Sequence, residues 1–295
     1  MLRYVLVAVA LCGAAACQKS GARSSEADKT ATKPADPAPL SPAGAAPAGD
    51  IEARVARLER RVEKIVTLLD QAMGPSEPDP ALTYSVPVNP EDPVEGPADA
   101  KVTVVEAYEF ACPYCWKVAP TMDALLAKYP KDVRIVSKYL LIHGAPALPP
   151  ALAACAAARQ GKYTPMKKLL WSKLFSADGQ LQQDKLAAEN MEKFAAEAGL
   201  DLNKFKSDFN GQVCKDWVKK SQESLQPVGT SGTPSFYING RHLNGAVPQS
   251  EFERVINEEK AKADKALASG IKAKDYYQTA VVQKGEKKVK SRFED

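Results

Sequence analysis

The chain has 295 residues, 45% of them hydrophobic, which is enough for one full domain with appendages. Forty lysines and arginines face 36 aspartates and glutamates, for a net charge of +4, with the lysines scattered among the acids. That is a solvated surface, and without interleaved basic and aromatic residues it excludes nucleic acid as an expected partner.

The N-terminus reads as a targeting segment. Arg3 precedes the apolar run "YVLVAVAL" and then the small residues "CGAAAC", the order of a secretory signal. The run is about ten residues long, too short for a bilayer-spanning helix. Residues 1–16 are therefore expected to be a signal peptide, with Ala14 and Ala16 forming an A-x-A site before Cys17. "AAAC" also resembles the bacterial lipobox, although Ala14 stands where the usual lipobox has leucine. The resemblance implies a lipid on Cys17 and a periplasmic protein anchored to a membrane. Gln18, where an aspartate would imply inner-membrane retention, points to the outer membrane. The alternative is a soluble periplasmic protein cut at the same bond.

Of six cysteines, Cys112, Cys115, Cys155 and Cys214 remain after processing, and an even number in an oxidising compartment suits two disulfides. Residues 17–49 are rich in Ala, Pro, Ser and Lys with few large apolar residues, and are expected to be a disordered tether. Residues 50–73 change character. Ile51, Val55, Leu58, Val62, Ile65, Leu69 and Ala72 alternate spacings of four and three, a heptad seam. This predicts a coiled-coil helix that makes the protein a homo-oligomer, trimer or dimer, with a single helix docked on its own domain as the alternative. Residues 74–100 read as a linker.

"KVTVVEAYEF" then reads as a buried strand running into "ACPYC", followed by a helical pattern through "WKVAPTMDALLAKY" and a second strand, "DVRIVSKYLL". Residues from about 147 to 226 are helical in pattern. "TPSFYINGRHLNG" predicts a hairpin turning at Asn239-Gly240, and "QSEFERVINEEKAKADKAL" a last helix. Residues 268–295 read as a tail. A CxxC between a strand and a helix is the setting of a redox motif.

The position explains the chemistry. The first backbone N–H groups of a helix lack intrahelical partners, and the helix dipole is positive there, so a thiolate is favoured at Cys112. Pro113 fits the first helical turn because its missing N–H costs nothing there. Cys115, one turn on, can close the ring. On this reading the Cys112 sulfur is exposed and that of Cys115 shielded, and Pro113 and Tyr114 tune both.

"VVEAYEFACPYCWKVAP", "VSKYL" and "GTSGTPSFYINGR" resemble the DsbA-type proteins of the thioredoxin superfamily over residues 101–267. The resemblance implies an α/β thioredoxin fold with an inserted helical domain at about 147–226. It implies a protein disulfide oxidoreductase acting on cysteines of exported proteins, with a membrane redox partner and no cofactor. It places a cis-proline at Pro234, with the Thr233 backbone pairing with the substrate, and it pairs a buried Glu106 with Lys138. Tyr114, where the strong oxidants carry histidine, and Thr233 are more typical of isomerases, so an isomerase or reductase is expected over a primary oxidase. A disulfide between Cys155 and Cys214 is expected within the helical block, two buried free thiols being the alternative. Zinc is disfavoured, since Cys155 and Cys214 are isolated and His143 and His242 form no spaced pair. A periplasmic chaperone with a structural Cys112–Cys115 bond is the competing class.

Overall fold

The computed structural model describes residues 51–73 and 77–289. The signal peptide, Cys17, the tether and residues 290–295 lie outside the described residues. Two units are distinguished, Met1–Ala53 and Arg54–Asp295, with the boundary inside the first helix, and the folded body lies in the second.

Helix α1 (Ile51–Met73) carries Val55, Leu58, Val62, Ile65 and Leu69 exposed. The body is built on five strands: β1 (Val94–Glu95), β2 (Val102–Tyr108), β3 (Val133–Tyr139), β4 (Ser235–Ile238) and β5 (Arg241–Asn244). Their order is β1-β3-β2-β4-β5, with β2 and β3 parallel and the other pairs antiparallel. Every residue of β2 is buried, as a strand covered on both faces must be. Helix α2 (Pro113–Lys128) makes the crossover from β2 to β3. The turn from β4 to β5 uses Asn239 and Gly240, both at positive φ, the geometry a two-residue hairpin requires.

Alternation along β2 divides the core. Val102 and Val104 pack with Ile135, Phe236 and Ile238 against α2 and helix α8 (Gln249–Ala268) through Val118, Leu125, Phe252 and Ile256. Val105 and Ala107 face the other way, with Val136 and Tyr237. That second face is covered by Tyr84 and Val86, which precede β1, and by Tyr277, Val281 and Val282, beyond helix α9 (Ala273–Tyr276).

This corrects two expectations. Residues 74–100 are not a linker throughout, and 268–295 are not simply a tail. Tyr84 and Asp92 are buried, the Ser85 N–H donates to the Glu286 carbonyl at 2.8 Å, and the Glu286 N–H donates to Thr83 at 2.8 Å. The apolar second face of the sheet has to be covered, and these two segments cover it together.

The inserted block contains α3 (Leu148–Ala158), α4 (Tyr163–Leu174), α5 (Ala188–Glu197), α6 (Leu202–Asn210) and α7 (Gln212–Leu225). Helix α3 is more than half alanine and is buried from Pro150 to Ala157, small enough for neighbours to approach on several sides. Cys155 of α3 and Cys214 of α7 are bonded, with Cα atoms 5.7 Å apart and a sequence separation of 59. Replacing both by alanine should lower the unfolding free energy by roughly 4 kcal/mol through the greater entropy of the uncrosslinked unfolded chain. A urea midpoint equal to that of the native protein would refute this.

Candidate active site

Strand β2 ends at Tyr108, and the chain turns before α2 begins. The Cys112 N–H reaches the Glu109 carbonyl at 3.4 Å, and the Cys112 carbonyl accepts from Cys115 and Trp116, each at 3.1 Å. Cys112 is thus the residue that caps α2, with extended backbone at φ −91° and ψ 118°. Pro113 occupies the first turn, where no N–H is needed. Tyr114 stands 64% exposed beside it. Cys112 and Cys115 are both free thiols.

The peptide bond from Thr233 to Pro234 is cis. It brings the Thr233 carbonyl to 3.3 Å from Cys112 Sγ, where the thiol donates to it. Cys112 is consequently only 2% exposed. The expectation of an open attacking sulfur is corrected: the loop before β4 lies over it.

The two thiols differ sharply. A hydrogen bond from Cys115 lowers the Cys112 thiol most; burial opposes this, and Thr233 and the N–H groups of Cys115 and Tyr114 help bring it down to about 6. The Thr233 hydroxyl is buried and has no hydrogen-bond partner beside the protonated thiol, so it is a donor on which a thiolate can draw. Burial raises the Cys115 thiol well above its ordinary range, and the neighbouring Cys112 and the charge of Glu106 add to the rise. One sulfur is set up to be an anion at neutral pH and the other a thiol.

Glu106 and Lys138 are both buried but do not meet. Parallel pairing sets Glu106 beside Ser137 and Lys138 beside Ala107, and neighbouring partners share a face, so the two charged side chains leave opposite faces of the sheet. The expected pair is corrected. Lys138 Nζ donates to Asp92 Oδ2 at 2.7 Å, and Trp217 Nε1 donates to Asp92 Oδ1 at 3.2 Å. Glu106 instead lies 3.6 Å from Lys167 of α4, which also holds Glu95 of β1 at 2.9 Å. Asp92, Glu95 and Lys167 carry no local motif and became visible only with the fold.

Glu109 was also missed, although an acid three residues before Cys112 is a readable signal. Its buried carboxylate accepts the His143 backbone N–H at 3.2 Å and meets the His143 ring. Beyond the CxxC, Trp116 stacks on Phe175 at 5.6 Å, beside a groove of about 490 Å³ that Pro120 and Trp171 also line. A larger hollow of about 700 Å³ is lined by Asp92, Tyr163 and Trp217 but by neither active-site cysteine. Among the described residues, no group of three or more His, Cys, Asp or Glu is placed to hold a metal, and no helix is long and apolar enough to cross a membrane.

A thiol pair of unequal acidity at a helix start, facing a cis-proline on a mixed sheet, defines a thioredoxin-like redox protein. The thioredoxin family model matches residues 88–258, and the chain belongs to that family. Among solved structures, a thioredoxin-like oxidoreductase from Silicibacter pomeroyi is 28% identical, with a TM-score of 0.51 over 59% of this chain and 94% of that one. BdbD from Bacillus subtilis superposes with a TM-score of 0.54 at 19% identity, covering 61% of this chain and 98% of its own, a likeness of fold. Among curated proteins, the Na(+)/H(+) antiporter NhaA of Herminiimonas arsenicoxydans is 33% identical over 178 residues, 60% of this chain. That match spans only 27% of the antiporter, and a second, NhaA 3 of Salinispora tropica, is 34% identical over 24% of its length. The chain thus spans about a quarter of the curated relatives it matches.

The alkylation rate of Cys112 by iodoacetamide should rise through about pH 6 and level off above it, since the thiolate is the nucleophile. Cys115→Ala removes the largest donor to that sulfur and should move the midpoint towards the ordinary thiol range. A midpoint that stays put would assign the effect to the backbone donors of the helix start.

Proposed function

We propose that this DsbA-type thiol-disulfide oxidoreductase acts on cysteines of exported proteins as an isomerase or reductase. Cys112 attacks as the thiolate, forming a mixed disulfide, and Cys115 resolves it. Pro113 and Tyr114 tune the pair, and the backbone of Thr233, before cis-Pro234, pairs with the substrate chain by strand addition. The observation that carries this reading is the unequal pair itself: Cys112 lowered to about 6 and Cys115 raised well above its ordinary range, side by side at the start of α2.

The preference for an isomerase rests on α1. Its apolar seam is exposed along the helix, and heptad seams of this kind assemble helices. Several active sites on one particle let a misfolded substrate be released and recaptured at high local concentration. On this reading the protein is a trimer or dimer, anchored through a lipid on Cys17 in the periplasm and served by a membrane redox partner. One observation favours disulfide donation instead: a thiol as acidic as Cys112 is a good leaving group from a mixed disulfide.

Light scattering of the mature protein with and without residues 51–73, alongside refolding of scrambled and of reduced ribonuclease, separates these readings. The full chain should be an oligomer that rescues scrambled ribonuclease better than the truncated form does. A monomeric full chain would overturn assembly through α1. Equal rescue by both forms, with fast oxidation of the reduced substrate, would make it an oxidase. Cys112→Ser should abolish either activity and Cys115→Ala should trap substrate adducts; a Cys112→Ser protein that still turned over would overturn the thiol assignment.

A further inference from the structure

Three charged groups are buried together, and the charge of one of them, Glu106, acts on Cys115. Glu95 of β1, Glu106 of β2 and Lys167 of α4 have side chains exposed by 9%, 2% and 8%. Two carboxylates share one ammonium, and they share it unequally. Glu95 receives Lys167 Nζ at 2.9 Å and the Thr164 hydroxyl at 2.7 Å. Glu106 has the lysine only at 3.6 Å, and its Oε2 has no hydrogen-bond partner. Lys167 also lies 5.7 Å from the ring centre of Tyr108 and 5.8 Å from that of Tyr163, so its position is fixed from several sides.

With both acids ionised the cluster is negative in a buried site, which is costly; a single proton neutralises it. The hydrogen bonds decide where that proton goes. Glu95, with the lysine and a hydroxyl, is the better anion, and Glu106, with an orphan oxygen, is the group that binds a proton more readily. Burial raises the Glu106 carboxyl, Lys167 opposes the rise, and Glu95 and Asp123 of α2 add to it. Burial also works against the Glu95 carboxylate, but Lys167 and Thr164 hold it below its ordinary range. The groups that act on Glu106 are thus Lys167, Glu95 and Asp123, and Glu106 in turn acts on Cys115 of α2 and Tyr163 of α4.

We infer that Lys167 and Glu95 are positioning residues for the resolving step: the lysine, drawn towards Glu95, governs whether Glu106 can take the proton of Cys115. The inference rests on the thiol chemistry proposed above. In that step the Cys115 thiol gives its proton to the Glu106 carboxylate, and its sulfur bonds to Cys112. The bond between Cys112 and the substrate sulfur breaks, and its electron pair leaves with the substrate thiolate. The two cysteines lose two electrons and the substrate disulfide gains them. A Glu106 kept permanently protonated could not accept. One paired fully with Lys167 would be too weak a base to draw the proton from Cys115.

The test uses the full-length reduced protein mixed with excess oxidised glutathione, following glutathione release from the Cys112 adduct as pH is varied. Lys167→Met should move the midpoint of that pH profile up by about one unit or more. Glu95→Gln should move it down, because the lysine then serves Glu106 alone, and Lys167→Arg should restore it. Glu106→Gln should remove the inflection. Unchanged midpoints in folded Lys167→Met and Glu95→Gln proteins would overturn the inference while adduct formation at Cys112 continued. Should Lys167→Met fail to fold, Glu95→Gln, which keeps shape and size, decides alone by the direction of its shift. If no adduct formed at Cys112 even in the native chain, the proposed function itself would fall.

Discussion

A sulfur anion in a site as closed as that of Cys112 depends on hydrogen bonds, because burial by itself favours the neutral thiol. The fold brings these donors from three places. Strand β2, the central strand, carries the chain to its C-terminal end, and the turn at Glu109 sets Cys112 as the cap of α2. The helix start offers the N–H groups of Tyr114 and Cys115, Cys115 offers its thiol, and the loop before β4 offers the Thr233 hydroxyl. The Thr233 carbonyl, which receives the thiol at 3.3 Å, suits the protonated state. Thr233 therefore faces the sulfur with an acceptor and a donor, one for each protonation state. The start of the helix that made Cys112 the expected nucleophile is only part of the effect; the largest single contribution comes from a side chain one turn away.

The sheet supplies the second constraint. Side chains alternate along β2, so one strand serves two cores and separates two buried charge systems. Glu106 faces Lys167 and the helical insertion, while Lys138 of β3 leaves by the other face towards Asp92 and Trp217. A buried ion pair seldom stabilises a fold more than a well-packed apolar set of equal volume would. Lys138 and Asp92 are fully buried, close at 2.7 Å and supported by the indole N–H, an arrangement that fastens the segment before β1 to the sheet. The Glu95–Lys167–Glu106 cluster lacks that completeness. Its orphan oxygen lies on the acid coupled to Cys115, where incomplete pairing leaves room for a proton to move.

Sequence patterns carried the fold and the centre of the site but not its surroundings. β-Branched and aromatic runs marked β2 and β3, the Asn239-Gly240 pair marked the hairpin, and the spacing of Cys112 and Cys115 before a helical pattern marked the reactive turn. These are local signals. The pairing of Glu106 was not local. It depended on the register between β2 and β3, and a shift of one residue exchanges faces. Lys167 was hidden because nothing in "YTPMKKLL" distinguishes a buried lysine from its exposed neighbour Lys168. The cover of the second sheet face was overlooked for a related reason. "LTYSVPV" and "DYYQTAVV" are short and flanked by polar or proline-rich sequence, and their apolar residues acquire meaning only when the two segments meet through Tyr84 and Glu286.

Anchoring the segment before β1 also changes what assembly through α1 would require. A long linker would let catalytic bodies swing freely towards a shared substrate. The body is instead anchored by Asp79, whose N–H donates to the Tyr84 hydroxyl at 2.8 Å, and α1 ends at Met73. Even fully extended, the chain between them spans no more than about 20 Å. Each active site would therefore stay near the stalk, and access to a shared substrate would come from the number and arrangement of bodies around it more than from long excursions of any one. The same segment continues into β1 and delivers Glu95 to Lys167. Lifting β1 from β3 would break two register pairs and, before them, the Asp92–Lys138 pair, and it would release Lys167 to Glu106. The edge that would carry the load of such an assembly is thus the edge that holds one of the three charges, Glu95, in place.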